Sequence, residues 1–332
     1  MTKYLKHEIK KNLWAFVVIA AVCTIPYVIE LSSMSMVWQY EGKVHIQPCG
    51  ISSITTTLTF LTFIVPVLTY SFKMNKRSVD AYYSLPLKKE KLYFVKTLTG
   101  LFLTLGSFTV AYWLGFFTLL FRADNPYNMG WYVPAYFGLL ALGTLLYGFN
   151  SFIFTRGNKV ADGVVFMLAY MFVFALIYEY GYIIFDYDYK WWLSESFMSW
   201  GGIYIFGEAM DSLICHGSAT NWSILSFVYP VLTGVLGYVL LFYSLRFEKA
   251  EDAEQVSESR FGYKFLIPVY AAFLMGISYD LSVQTLAMIL IAEIIATIVY
   301  KRKFRFEKKE WLRIGVGLLV GIVLGLIANA GR

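Results

Sequence analysis

Cysteine and histidine are scarce in this chain, with three of each among 332 residues. Cys23, Cys49 and Cys215 are too few for a disulfide framework and have no CxxC spacing. His7, His45 and His216 complete no zinc-site pattern. Charge is also sparse: Asp, Glu, Lys and Arg make up 15% of the residues, where a soluble domain has about 25%. A Walker A phosphate loop, GxxxxGK followed by Ser or Thr, occurs nowhere. There is no flexible linker, no low-complexity tract and no clear internal repeat. Apolar residues fill the chain instead. They account for 58% of it, aromatic residues alone for 19%, and the mean hydropathy is +0.58. That excess cannot be buried in a water-soluble core of this size. A soluble enzyme, a secreted disulfide scaffold and a disordered chain are therefore excluded.

The expected fold is an all-α integral membrane protein, a polytopic helical bundle. A span needs about 20 mostly apolar residues to cross about 30 Å of hydrocarbon. Such segments lie at 13–31, 53–72, 97–121, 132–154, 163–185, 223–245, 282–300 and 312–329, with a shorter one at 265–279. The short segment contains Pro268 and suits half of a tight hairpin with the next, turning at Tyr279-Asp280. The first span is not a cleaved signal: its apolar stretch runs past the usual length and no small-x-small site follows. Before it, residues 2–12 alternate charge with Tyr4, Leu5 and Ile9 at helical spacing, as in an amphipathic helix on the inner surface.

Charge sorting orients the chain. With the N-terminus inside, 24 of the 28 Lys and Arg residues fall on inner segments, leaving Lys43, Arg122, Lys190 and Arg332 outside. No other parity does nearly as well. The net charge of +6 thus conceals a basic inner side and an acidic outer side, and nucleic acid is removed as a partner. The segment 197–215 is apolar, but Glu208 and Asp211 and the basic loops after it place it outside, as an interfacial or re-entrant helix.

Polar residues in or near the spans are the next candidates. Glu179, flanked by Tyr178, Tyr180 and Tyr182, and the deeper Glu293 are costly in hydrocarbon and are weak candidates for a substrate pathway. Glu179 rising to an interface of belt tyrosines, and a protonated Glu293 packed among helices, are the plainer alternatives. Gly317, Gly321 and Gly325 recur every four residues and predict close helix packing, within the chain or between subunits. Cys49 with His45, and Cys215 with His216, lie on two outer segments. A disulfide between Cys49 and Cys215, a metal site bridging the loops, and unlinked residues all remain open.

The first inner loop is the most informative segment. Ser78–Tyr83 mixes polar and aromatic residues at helical spacing, Pro86 stops that helix, and a basic helix Lys88–Lys96 leads into the next span. A short helix, a proline corner and a second helix make a firm knob, suited to docking a protein or simply to setting topology. The run Lys76-Arg77-Ser78-Val79-Asp80-Ala81-Tyr82-Tyr83-Ser84-Leu85-Pro86-Leu87-Lys88-Lys89-Glu90-Lys91, followed by Lys96 and Gly100, resembles the first cytoplasmic loop of ABC type-2 permeases. These are the membrane subunits of bacterial ABC exporters. The N-terminal amphipathic helix looks like the connecting helix of that family. The segment between the fifth and sixth spans looks like its re-entrant extracellular helices, and Phe154–Gly163 looks like its short second inner loop. The three spans after residue 264 depart from the six-span core and are similar to a Firmicutes branch with longer C-termini.

The resemblance implies a permease core over 1–245, a cytoplasmic linker over 246–264, and a hairpin plus last span over 265–332. It implies a bacterial plasma-membrane location with the N-terminus cytoplasmic. It implies a non-catalytic subunit, with ATP and Mg bound by separate ABC ATPase subunits and with a second permease subunit, identical or related. The cargo would be hydrophobic, peptide or drug-like. Asp80, Tyr83, Leu85, Pro86 and Leu87 would dock the ATPase, with Arg77 and Lys88 for charge pairing. An ion-coupled transporter or channel without an ATPase is the alternative. It would depend on Glu179 and Glu293 alone. A lipid-acting membrane enzyme lacks the acid/base cluster it would need.

Overall fold

Hydrocarbon offers backbone groups no hydrogen bonds, so a chain this apolar is driven to helices, which satisfy their own. A computed structural model describes residues 2–35, 37–40, 43–84, 87–123, 125–185, 203–217, 225–257, 259–278, 282–301, 304 and 306–330. Twelve α-helices lie among them. In chain order they are α1 (Thr2–Lys11), α2 (Leu13–Ser33), α3 (Ile51–Tyr70), α4 (Lys76–Tyr83), α5 (Lys89–Leu120) and α6 (Tyr132–Phe154). They continue with α7 (Val160–Phe185), α8 (Ile203–His216), α9 (Leu225–Ser244), α10 (Tyr263–Ile277), α11 (Val283–Lys301) and α12 (Lys308–Ala330). One antiparallel hairpin, β1 (Val37–Tyr40) with β2 (Lys43–Ile46), follows α2 in a register running from Val37↔Ile46 to Tyr40↔Lys43.

Among the described residues, seven helices are long and apolar enough to cross a membrane. They cover Leu13–Ser33, Ile51–Met74, Lys89–Leu120, Met129–Phe154, Pro230–Phe247, Val283–Lys301 and Lys308–Ile327. The chain is thus a multi-pass helical membrane protein. The 26-residue α7 is apolar in the same manner. At 1.5 Å per residue, the 15 residues of α10 reach only about 23 Å and the 14 of α8 only about 21 Å, both short of the hydrocarbon thickness. Over the described residues α8 is therefore too short a helix to span. Threonine-rich α3 shows how a polar composition is tolerated: Thr55, Thr56, Thr57, Thr59 and Thr69 each donate back to the carbonyl four residues earlier.

The chain divides into two compact units. Unit 1 takes Met1–Phe72, Asp80–Phe152 and Ser199–Glu248. In it α2 lies along α5. Tyr27 and Leu31 of α2 fit over Gly115, and Phe16 stacks on Phe102 at 4.9 Å. Tyr147 of α6 fills the space left by Gly100 of α5, and Tyr238 of α9 crosses to the Thr144 carbonyl at 2.8 Å. On α2, Trp14, Val18, Val22, Ile25 and Ile29 stay exposed at helical spacing, a face suited to lipid tails.

Unit 2 takes Lys73–Val79, Ile153–Met198 and Lys249–Arg332. Here α10 is central. Tyr270 donates to the Ala169 carbonyl of α7 at 2.6 Å, and Tyr180 of α7 donates to the Leu324 carbonyl of α12 at 2.8 Å. Those tyrosines explain why the fifth span, α7, groups with the three C-terminal helices rather than with the other spans of residues 1–245. Gly317 and Gly321 of α12 face α10: their missing side chains leave room for Pro268 and for Ala272 and Met275. Gly325 is buried on the same helix. The glycine stripe is thus a packing face inside the chain.

Candidate functional site

The N-terminal helix is basic and largely exposed, yet Glu8 at its centre is only 2% exposed. Its partner is Lys96 near the start of α5, also buried, and the ion pair is 2.8 Å long. Tyr4, one turn earlier on α1, donates to the other Glu8 oxygen at 2.9 Å. Lys96 also donates to the Tyr82 hydroxyl of α4 at 3.2 Å. Its ammonium sits 4.5 Å from the Tyr82 ring centre and 5.3 Å from that of Phe72. The buried cation is therefore surrounded by a carboxylate, a hydroxyl and two ring faces, as a charge out of water requires. Burial alone would raise the Glu8 carboxyl, but the hydrogen bonds from Lys96 and Tyr4 and the Lys96 charge outweigh it and hold the group below its ordinary value. Burial and the neighbouring Glu8 push the Tyr4 phenol up.

Helix α4 presents one bare face. Arg77, Asp80, Ala81 and Ser84, at spacings of three and four, are all exposed, while Val79 is buried and Tyr82 and Tyr83 are half-buried. Lys88, in extended conformation, leads into α5; it is exposed, as are Lys89, Glu90 and Lys91, and Leu87 is half-buried. Leu85 and Pro86 lie outside the described residues. Within unit 1, Glu248 at the end of the sixth span accepts from Tyr93 at 2.7 Å, and its carbonyl accepts from Lys89 at 3.2 Å. Lys89 in turn stands 4.7 Å from the Tyr83 ring centre. Burial, then the Glu248 charge, raises the Tyr83 phenol.

Within unit 2 the polar segments are tied together. The Lys76 amide donates to Glu254 at 3.3 Å, and the Glu254 amide donates to the Asn158 carbonyl at 2.9 Å. Lys73 donates to the Thr155 carbonyl. Ser257 donates to the Arg156 carbonyl at 2.7 Å and its own carbonyl accepts from Tyr300 at 2.8 Å. The linker expected over 246–264 is thus a pinned segment.

A second cluster lies where α8 meets the start of α3. Asp211, 6% exposed, caps that helix. Its Oδ1 accepts from the Cys49 amide at 3.0 Å, the Cys49 thiol at 2.7 Å and the Ile51 amide at 3.3 Å. Its Oδ2 accepts from the Ser52 amide at 3.1 Å and the Ser52 hydroxyl at 2.6 Å. Gly50, at φ +81°, makes the turn that aims these amides at one carboxylate. Cys215 joins the group, with the three ligand atoms within 4.8 Å of one another, and both cysteines are free thiols. Burial, together with the Asp211 carboxylate against its thiol, pushes Cys49 up. Two sulfurs and an oxygen could hold a soft divalent cation, but it would have to strip the Cys49 proton and compete with four other donors for Asp211. Sequence reasoning used Asp211 only to keep this segment outside. The Gly50-Ile51-Ser52 helix start opposite it was the signal that it missed.

Tyr178, Glu179 and Tyr182 sit on α7, and their side chains lie outside the described residues. Glu293 of α11 is 3% exposed, with no hydrogen-bond partner for either oxygen among the described residues. It lines a cavity of about 710 Å³ between α7, α10 and α11. Comparison with protein-family models, curated proteins and solved structures found no match to this chain.

Proposed function

We propose that this chain is the membrane-embedded subunit of an ATP-driven ABC exporter. In this reading a separate ATPase bears on the bare face of α4. The observation that carries it is the pairing of an exposed face on α4 with an opposite side locked to the spans. Arg77, Asp80 and Ser84 point away from the protein, while Tyr82, one position round, holds Lys96 and through it Glu8. A load on α4 is then passed to α1 and to α5. The latter is 32 residues and about 48 Å long, so a tilt at one end is felt at the other. ATP and Mg belong to the ATPase, which closes on nucleotide. A second permease subunit, identical or related, completes the path for a hydrophobic, peptide or drug-like cargo. The membrane is a bacterial plasma membrane, with the N-terminus and α4 on the cytoplasmic side.

The test is whether a neighbouring gene encodes a protein with a Walker A motif, followed by co-expression with that ATPase and affinity purification through either partner. Arg77→Glu together with Asp80→Lys reverses the charges of the bare face and should abolish co-purification while membrane insertion stays normal. Wild-type recovery of the ATPase with that variant would sink the docking role.

Glu293, buried and unpaired, favours a second reading, ion-coupled transport without an ATPase. Dissipation of a pH gradient by the purified chain in liposomes without ATP, abolished by Glu293→Gln, would establish it over the first.

A further inference from the structure

The Glu293 cavity has a chemistry that its walls do not complete. Its sides are mostly apolar, with Leu266, Ile267, Leu274 and Met288 among them, and Lys159 and Asp162 line it as well. Three tyrosines also line it, but each hydroxyl is already spent. Tyr263 donates to Asp162 at 3.1 Å, Tyr270 to the Ala169 carbonyl at 2.6 Å, and Tyr300 to the Ser257 carbonyl at 2.8 Å. The nearest hydroxyl on its own helix, Thr297, donates to the Glu293 backbone carbonyl and not to the carboxylate. Both buried Glu293 oxygens thus lack a hydrogen-bond donor among the described residues, on the wall of a mostly apolar space. A hard metal ion would need several further oxygen ligands, and the one other carboxylate among the described lining residues, Asp162, already accepts from Tyr263. Water would satisfy the oxygens but not the apolar walls. A volume of about 710 Å³ is that of a drug-sized occupant.

We propose that this cavity binds a primary ammonium group carried on an apolar body, its N–H groups donating to the two Glu293 oxygens and its body lying on α10 and α11. An ammonium brings three donors and the compensating charge, and the apolar body covers the rest of the wall. The cavity belongs wholly to unit 2, so the site stands whether or not an ATPase docks on α4. The same chemistry is found in a transported amphiphilic amine and in an aminolipid headgroup.

The experiment uses the purified full chain in maltoside micelles, with empty micelles as the blank. The probe is the fluorescent primary amine dansylcadaverine. Saturable, blue-shifted emission is expected at neutral pH, weakened about tenfold or more by Glu293→Gln, the scale of a lost charge-assisted hydrogen bond. Ala296→Phe, which fills the cavity and leaves the carboxylate in place, should weaken it too, and decides the matter if Glu293→Gln does not fold. Dansylamide, the same ring system without the amine, should not distinguish wild type from Glu293→Gln. Displacement by dodecylammonium alone assigns the site to a transported amine, and displacement by phosphatidylethanolamine assigns it to a lipid. Equal dansylcadaverine binding by wild type and both variants, or displacement by neither competitor, overturns the proposal.

Discussion

Lys96 of α5 and Glu8 of α1 form an ion pair 2.8 Å long, with side chains 8% and 3% exposed, although they stand 88 residues apart. Little else on α1 is buried, so this pair is the helix's main anchor.

Removing one partner leaves the other charged and buried, which costs about 3–5 kcal/mol. Lys96→Met should therefore lower the thermal midpoint sharply and free α1 to proteolysis. Glu8→Gln added to Lys96→Met should recover much of the loss, since neither charge is then stranded. Additive losses in the double variant would show that the pair is not coupled. The pair also has an acid limit. The folded Glu8 carboxyl lies below its ordinary value, so its stabilisation is complete above the unfolded value and is lost as pH falls through the folded one. Protection of the α1 amides from hydrogen exchange should persist from neutral pH to about pH 5 and fall below about pH 4. Constant protection down to pH 3 would contradict this.

Asp211→Asn tests the cap on α3. The carboxylate accepts from five donors on Cys49, Ile51 and Ser52. Asparagine keeps one acceptor and turns an NH₂ toward donors on the other side. The expected loss is about 1–3 kcal/mol of stability, read as a lower melting temperature in micelles. An unchanged melting temperature would mean that water replaces the cap at no cost.

Most of this architecture is legible in the sequence because a span is written in one dimension: an apolar run of fixed length. The eight longer segments appear as helices, though α5 begins at Lys89, eight residues before the expected start, and Gly317 and Gly321 of α12 lie on α10. The grouping of α7 with the C-terminal helices is not legible. It rests on Tyr180 and Tyr270, and a tyrosine gives no sign in sequence of which carbonyl it will meet. The β1–β2 hairpin was missed for a related reason, since four-residue strands carry little periodicity. In the candidate site, Lys96 was read as the end of a basic helix leading into a span, and the structure sets it inside the single helix α5 that begins at Lys89. Its pairing with Glu8 joins residues at long separation and left no local signature. Arg77 and Asp80 entered through the family resemblance alone, and their shared exposed face on α4 comes from the structure.

The thiols give a third prediction. Cys49 is buried with its S–H on Asp211, so it holds its proton and is shielded from reagent. In the folded protein at mildly alkaline pH, Cys49 should resist iodoacetamide and become reactive only on denaturation. Non-reduced peptide mapping should return Cys49 and Cys215 as separate peptides. A linked Cys49–Cys215 peptide would establish the disulfide instead and remove the thiol donor from Asp211.

Two glycines on one helix should respond in opposite ways. A Cβ on Gly321 would stand 2.7 Å from Met275 Cβ and 3.1 Å from Ala272 Cα, atoms at or next to the α10 backbone that cannot swing aside. Gly321→Val therefore forces α10 and α12 apart and should cost about 1–3 kcal/mol. A Cβ on Gly315, also on α12, would meet nothing within 4 Å. Gly315→Ala gains helix propensity with no clash and should stabilise by up to about 1 kcal/mol. The two sites share a helix and a starting residue type and differ in what an added carbon would meet. Their melting temperatures should move to opposite sides of the wild type. A parallel shift would mean that α12 does not pack on α10 through its glycine face, and the tight interface at the centre of unit 2 would have to be abandoned.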